Sequence, residues 1–261
     1  MQPERSPSRG GQDPRPHRAN SQHRTALLFT AVLVVSFQLF VPHGKLVLYP
    51  LTLLSTWIHE MGHGVTALLC GGRFDQLRIY PDASGISEMA VPPGLCEAIT
   101  AAGGLLAPPL IGALCLALGR RLSRVIMASL AVGLALSLVF YVRTWAGSAA
   151  ILPLCIMMSL VASYGAREAT VFLTQLLGMV LGLDTLTRTL GYLFVSSTAV
   201  WGAQQTSDIA GIAQVLGGPI WLWGGIIAAV ALLLLALGIL GAWRKPAAAT
   251  TRADSAAHEV P

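Results

Sequence analysis

The sequence predicts an all-α polytopic membrane protein of about six to eight spans, with a short β-hairpin after a helix that carries His59-Glu60-Met61-Gly62-His63. Three observations predict it. Apolar residues make up 54% of the chain and charged residues 11%, against roughly 45–50% and about 25% in ordinary soluble domains. Charge is absent from long stretches such as Val125–Val142. Apolar runs recur along the chain at lengths suited to the hydrocarbon core of a bilayer. A soluble single domain is excluded. Nucleic acid is not an expected partner either, because the net charge of +5 is carried largely by the tails and short loops, where basic residues set orientation on a bilayer. The lipid bilayer is the expected environment, and nothing in the sequence fixes an oligomeric state.

Residues 1–25 hold Arg5, Arg9, Arg15, Arg18 and Arg24 among prolines, serines and glutamines. Such a segment has too little apolar surface to offset the entropy of ordering and reads as a disordered basic cytoplasmic tail. The first apolar run, Ala26–Val41, is followed by Pro42-His43-Gly44-Lys45 and not by a small-x-small cleavage site, so it reads as an uncleaved span. The second, Leu46–Cys70, would be roughly 37 Å long as a helix and crosses a bilayer. Between Gly71 and Pro93 the chain turns polar, and Arg78-Ile-Tyr-Pro and Gly85-Ile-Ser-Glu-Met flank Asp82-Ala-Ser-Gly, a hairpin pattern.

Further runs follow at Ala98–Leu118, Val125–Val142, Ser148–Tyr164, Ala169–Leu183, a weaker Thr189–Trp201, and Ile220–Trp243. Residues 26–243 thus form one membrane-embedded domain, and 244–261 a polar, alanine-rich disordered tail. Arg244 and Lys245 favour a cytoplasmic end, as do Arg120, Arg121 and Arg124, although simple alternation from an inside N-terminus puts the latter loop outside. The tryptophans Trp145, Trp201, Trp221, Trp223 and Trp243 lie near run ends as an interfacial belt, and Gly178-x-x-x-Gly182 permits close helix packing. Cys70, Cys96, Cys115 and Cys155 are scattered singly, without CxxC spacing, and read as four buried thiols.

Chemistry concentrates at His59-Glu60-Met61-Gly62-His63. Imidazoles four residues apart share one face of a helix and can share one Zn²⁺, while the intervening carboxylate serves as general base toward water. With this composition the pattern arises by chance in about 0.3% of chains of this length. Three ionisable groups together in an apolar run are costly and usually functional, although buried histidines bonded to backbone or to Glu60 are the plainer alternative. Gly62 and Gly64 lower helix propensity and would let another backbone approach. Glu88, Glu97 and Glu168 lie at segment edges and read as solvated, and Arg143 and Arg167 read as snorkelling span ends.

Several stretches resemble the site-2 protease family of intramembrane zinc metallopeptidases, in particular its compact bacterial branch. They are His59-Glu-Met-Gly-His63 with Gly64, Gly71-Gly-Arg leading to Tyr80-Pro-Asp-Ala-Ser-Gly85, Ala102-Gly-Gly-Leu-Leu-Ala-Pro-Pro109, and Ser207-Asp-Ile-Ala210 ahead of Trp221-Leu-Trp223. The likeness covers about residues 45–243, and only the first stretch is highly specific. It implies a membrane-buried Zn²⁺ held by His59, His63 and a distant aspartate, Glu60 as catalytic base, membrane-protein substrates, and a bacterial plasma membrane. Two departures stand out: Asp184 is followed by Thr185 where the larger family has Asp-Gly, and Gly103-Gly104 with Pro108-Pro109 replaces an asparagine-containing Gly-Pro motif. Two aspartates compete for the third ligand. Asp208 fits the compact branch's Ser-Asp pattern and is favoured; Asp184 fits the leucine-aspartate context. As plainer roles, Asp208 or Ser207 could cap a short helix, and Asp184 could pair with Arg188 at i+4. The expected activity is zinc endoproteolysis within the bilayer, with the hairpin Arg78–Met89 holding an unwound substrate by strand addition. A non-proteolytic metal-binding scaffold or transporter on the same fold is the alternative, disfavoured by the lack of an internal repeat.

Overall fold

The structure, a computed structural model, describes residues 48–191, 193–200 and 202–243. The expected span Ala26–Val41 and both expected tails, 1–25 and 244–261, lie outside the described residues. Helix α1 spans Tyr49–Leu69 with Pro50 in its first turn, where proline's missing N–H costs nothing. It ends at Cys70, and Gly71 at φ +77° turns the chain. Strands β1 (Arg73–Ile79) and β2 (Gly85–Ala90) then form an antiparallel hairpin that begins earlier than the sequence suggests. Its turn is as expected: the Asp82 carboxylate accepts from the Ser84 N–H at 2.9 Å, and Ala83 takes φ +64°.

A register shift between Phe74 and Gln76 lets Phe74, Leu77 and Ile79 all face the core. The outer edge of β1 is covered, since Leu77 N–H donates to the Tyr141 carbonyl at 3.0 Å.

Helix α2 (Leu95–Phe140) joins two expected spans, Ala98–Leu118 and Val125–Val142, across a break at Leu122 (φ −121°, ψ 21°). Gly103 packs on Thr66 of α1, whereas Gly133 and Ser137 pack on Trp57, whose indole N–H donates to Ser137 Oγ at 3.0 Å. Thirty residues of straight helix would cover about 45 Å, and positions 57–66 of α1 cover only about 14 Å. The chain therefore doubles back at Leu122, giving two legs, 95–121 and 123–140. Helices α3 (Trp145–Tyr164) and α4 (Arg167–Gly191) follow. Arg124 at the reversal donates to the Gly165 carbonyl at 3.1 Å, and Gly241 near the end of the last helix packs on Ala117. Arg120, Arg121, Arg124 and Arg167 thus share one end of the bundle with the chain end that leads to Arg244 and Lys245 in the sequence.

The expected span Thr189–Trp201 is not a helix. The helix stops at Gly191, and β3 (Ser197–Val200) pairs with β4 (Ala203–Thr206) in a second hairpin, with Gly202 at φ +82°. The physical reason is that β-branched Val195, Thr198 and Val200 favour extended backbone, and Gly202, just past the apolar run, supplies the left-handed turn to a partner strand outside it. A nine-residue helix α5 (Asp208–Leu216) and the apolar α6 (Ile220–Trp243) complete the chain.

Leu54, Leu77, Leu134, Ile151 and Leu181, each fully or almost fully buried, bring α1, β1, the second leg of α2, α3 and α4 into one core. Small residues allow the closest approaches, as a Cβ on Gly178 would lie 2.7 Å from the Gly112 carbonyl oxygen and one on Gly238 2.8 Å from Ala113 Cα. Among the described residues four helices, α2, α3, α4 and α6, are long and apolar enough to cross a membrane, and leucines such as Leu232, Leu237 and Leu240 stand exposed along α6. The protein is a mostly helical integral membrane protein. Helix α1, with its polar inner face, is not one of the four.

Candidate metal centre

His59 and His63 lie one turn apart on the inner face of α1, with their Nε2 atoms 3.1 Å from each other. Oδ2 of Asp208 is 3.1 Å from His59 Nε2 and 3.4 Å from His63 Nε2. Asp208 can turn inward because Ser207 takes the capping role: its Oγ accepts from the Ala210 N–H at 3.3 Å and donates to the Val195 carbonyl at 2.8 Å. The second hairpin, which the sequence reading missed, leads straight into this cap, since Ser207 N–H donates to the Ser196 carbonyl at 3.0 Å.

These three donors fit a zinc ion. Four ligands about 2.0–2.1 Å from a tetrahedral Zn²⁺ lie about 3.3–3.4 Å apart, close to the three separations seen. The His63 tautomer is also set: its Nδ1 is 2.9 Å from the Thr100 carbonyl oxygen, which can only accept, so Nδ1 carries the proton and, in the neutral ring, Nε2 presents its lone pair to the cluster. Facing lone pairs on two imidazoles and a carboxylate repel unless a cation or a shared proton lies between them.

Glycines on both sides make the approach possible. A Cβ on Gly104 would collide with the His63 imidazole, one on Gly62 would lie 2.6 Å from the Gly103 carbonyl oxygen, and one on Gly64 would strike the Phe74 ring. Gly62 of α1 and the Gly103-Gly104 pair of α2 therefore bring two backbones together around His63 and Thr66, whereas Gly64 makes room for Phe74 of β1. Gly104 lies sixteen residues before Arg120, about 24 Å of helix from the basic end of the bundle.

Glu60, 6% exposed, lines the same cleft as the histidines and points toward the first hairpin. Ser87 Oγ on β2 is 2.6 Å from its Oε2, and a Cβ on Gly85 would meet its Cγ at 2.8 Å. Asp184, the rival for third ligand, is engaged elsewhere: Ser55 Oγ donates to its Oδ2 at 2.7 Å and Arg188 Nε at 2.9 Å. It lines a small chamber of about 20 Å³ behind His59. Glu88 pairs with Arg78 at 2.7 Å, and Arg143 donates to the Phe140 carbonyl at 2.7 Å.

A cleft of about 410 Å³ opens over His59, Glu60, His63 and Asp208, bounded by β2 on one side and by Gln205 and Thr206 of β4 on another. Three further residues line it, of which Thr100 and Thr189 carried no signal in the sequence and Arg188 was read only as a partner for Asp184. The Thr100 and Thr189 hydroxyls are buried with no hydrogen-bond partner among the described residues, and Arg188 reaches Thr56 Oγ1 at 3.4 Å. A lone threonine in an apolar run looks the same whether its hydroxyl bonds back to its own helix or faces a cleft.

A family model described as Peptidase M50B-like matches residues 26–238. No curated protein and no solved structure matches the chain.

Proposed function

Taking as premise that the chain belongs to the Peptidase M50B-like family, we propose that it is an intramembrane zinc endopeptidase hydrolysing peptide bonds of membrane-embedded proteins, as a multi-pass protein of a bacterial plasma membrane. The observation that carries this reading is the convergence of His59 Nε2, His63 Nε2 and Asp208 Oδ2 in a cleft inside the bundle, beside a buried carboxylate. Zn²⁺ held by these donors would supply Lewis acidity toward the scissile carbonyl and the attacking water.

The chain's own residues do the rest. Glu60 is the general base: its carboxylate takes the proton of the attacking water and delivers it to the leaving amide nitrogen. Ser87 donates to Oε2 and fixes the orientation of that carboxylate. Thr100 and Thr189 hold buried hydroxyls at the cleft wall that no other described group engages. Away from its last turn a helix keeps its carbonyls engaged and its peptide bonds shielded, so the bound segment is unwound. Because Tyr141 covers the outer edge of β1, the edge of the first hairpin left for strand addition is β2, which lines the cleft.

The test is zinc content and turnover measured together on detergent-purified protein, with a transmembrane reporter as substrate. Glu60→Gln is expected to retain zinc and lose cleavage. Zinc bound but no cleavage by the unaltered protein, across a panel of transmembrane reporters, would favour a metal-binding scaffold instead.

A further inference from the structure

Folding brings together two of the four cysteines that look isolated in the sequence. Cys70 caps the C-terminal end of α1, and Cys96 lies in the first turn of α2. The Cys96 thiol donates to the Cys70 carbonyl with Sγ 3.9 Å from the oxygen, so the two residues are in direct contact. The chain segments around them run side by side, since a Cβ on Gly72 would lie 3.2 Å from Val91 Cα and Arg73 pairs with Ala90. Both cysteines are half-buried, so a small oxidant reaches them. Neither of the others has such a neighbour: Cys115 is buried in the core, and the Cys155 thiol donates to the Ala131 carbonyl.

We propose that Cys70 and Cys96 form an oxidisable pair that closes to an intrachain disulfide. In exchange with a small disulfide such as oxidised glutathione, one cysteine thiolate attacks a sulfur of the reagent and expels one glutathione thiolate. The second cysteine then attacks the mixed disulfide and expels the other. One reagent disulfide becomes two thiols, two protein thiols become one disulfide, and the two cysteine protons pass to the expelled thiolates. The ring so closed contains the whole first hairpin, the wall of the cleft that holds Ser84, Ser87 and Met89. It also fastens the contact through which His63 is held, because Thr66 lies one turn before Cys70, Thr100 one turn after Cys96, and Thr66 Oγ1 reaches the carbonyls of His63 and Thr100 at 3.1 and 3.4 Å. The disulfide would therefore make the hairpin and the His63 side of the cleft more rigid.

The experiment uses the full chain in detergent, treated with increasing oxidised glutathione, then alkylated under denaturing conditions. Two of the four thiols are expected to become unreactive, with a proteolytic fragment joining Cys70 to Cys96. The thermal midpoint should rise by several degrees, and amide hydrogen exchange across residues 73–90 should slow. A Cys115→Ser, Cys155→Ser variant should behave the same way, and Cys70→Ser or Cys96→Ser alone should abolish the link and the thermal shift. Four thiols that remain alkylatable when a control dithiol peptide is fully oxidised would overturn the proposal. So would a bond to Cys115 or Cys155, or one between two chains. Zinc content and turnover play no part in these readouts, so failure here leaves the peptidase reading standing, and the reverse also holds.

Discussion

Two aspartates flank the same histidine, and the chain treats them differently. Asp184 is carried by the long helix α4 and faces the chamber behind His59, where Ser55 and Arg188 both donate to one of its oxygens. Asp208 opens the short helix α5 and faces the cleft, where its neighbours at 3.1 and 3.4 Å are imidazole nitrogens. A carboxylate already neutralised by a guanidinium has little left to offer a cation, whereas one whose neighbours are neutral bases needs a cation to hold the group together. Proximity to the histidines does not separate the two residues; the partners each already has do.

The comparison breaks at its root if the histidines are not ligands at all, so the largest effect is sought there. Purified protein should contain one zinc per chain, and the His59→Ala, His63→Ala double variant essentially none, with no turnover. Metal content unchanged in the double variant would place zinc elsewhere and leave neither aspartate a role in it. Next in size is Glu60→Gln, which keeps the shape and the Ser87 contact but cannot accept a proton at neutral pH. Turnover should fall by about 10²–10⁴ with zinc retained. A wild-type rate in that variant would remove Glu60 from the chemistry.

Smaller, and aimed at the comparison itself, is the pair Asp208→Ala and Asp184→Ala. The first should weaken zinc binding by more than the roughly 10–100-fold typical of losing a group outside the coordination sphere. The second should leave affinity near that of the unaltered protein and lower stability by about 1 kcal/mol, a modest cost because Arg188 is partly exposed and regains water. Competition with a zinc-binding dye and thermal melts in detergent distinguish the two patterns. If the effects come out exchanged, Asp184 is the ligand.

What the sequence displays, and what it conceals, follows the same divide between local and non-local causes. The HExxH helix, the turn at Asp82–Gly85 and the long apolar runs are local patterns, and the family resemblance rests on the first of them. The reversal at Leu122 is foreshadowed by Arg120, Arg121 and Arg124 between two apolar runs, since such a cluster belongs at a membrane surface. The second hairpin went unread because Thr189–Trp201 is apolar enough to pass for a short span, and its extended conformation depends on Gly202 and on residues beyond the run. The purpose of Gly103-Gly104 was hidden as well. Only packing of the first α2 leg against α1 shows that these glycines clear space for His63 and Thr66. The buried hydroxyls of Thr100 and Thr189 and the meeting of Cys70 with Cys96 belong to the same class: they are products of how helices sit together, which no window along one segment contains.

The smallest expected effect tests whether Asp208 is placed by its cap or only tolerated there. Ser207 Oγ is both acceptor for the Ala210 N–H and donor to the Val195 carbonyl, so it fixes the start of α5 and ties it to the segment before β3. Removing the hydroxyl in Ser207→Ala should cost about 1 kcal/mol of stability. It should also loosen Asp208, reducing zinc affinity by less than tenfold, since the carboxylate remains and only its orientation is less defined. Ser207→Thr keeps the hydroxyl and should restore both quantities. Unlike Asp184→Ala, which should disturb stability without touching zinc, Ser207→Ala should move the two together. If it lowers the melting midpoint while zinc affinity stays unchanged, the cap serves α5 alone, and the inward turn of Asp208 owes its geometry to the histidines.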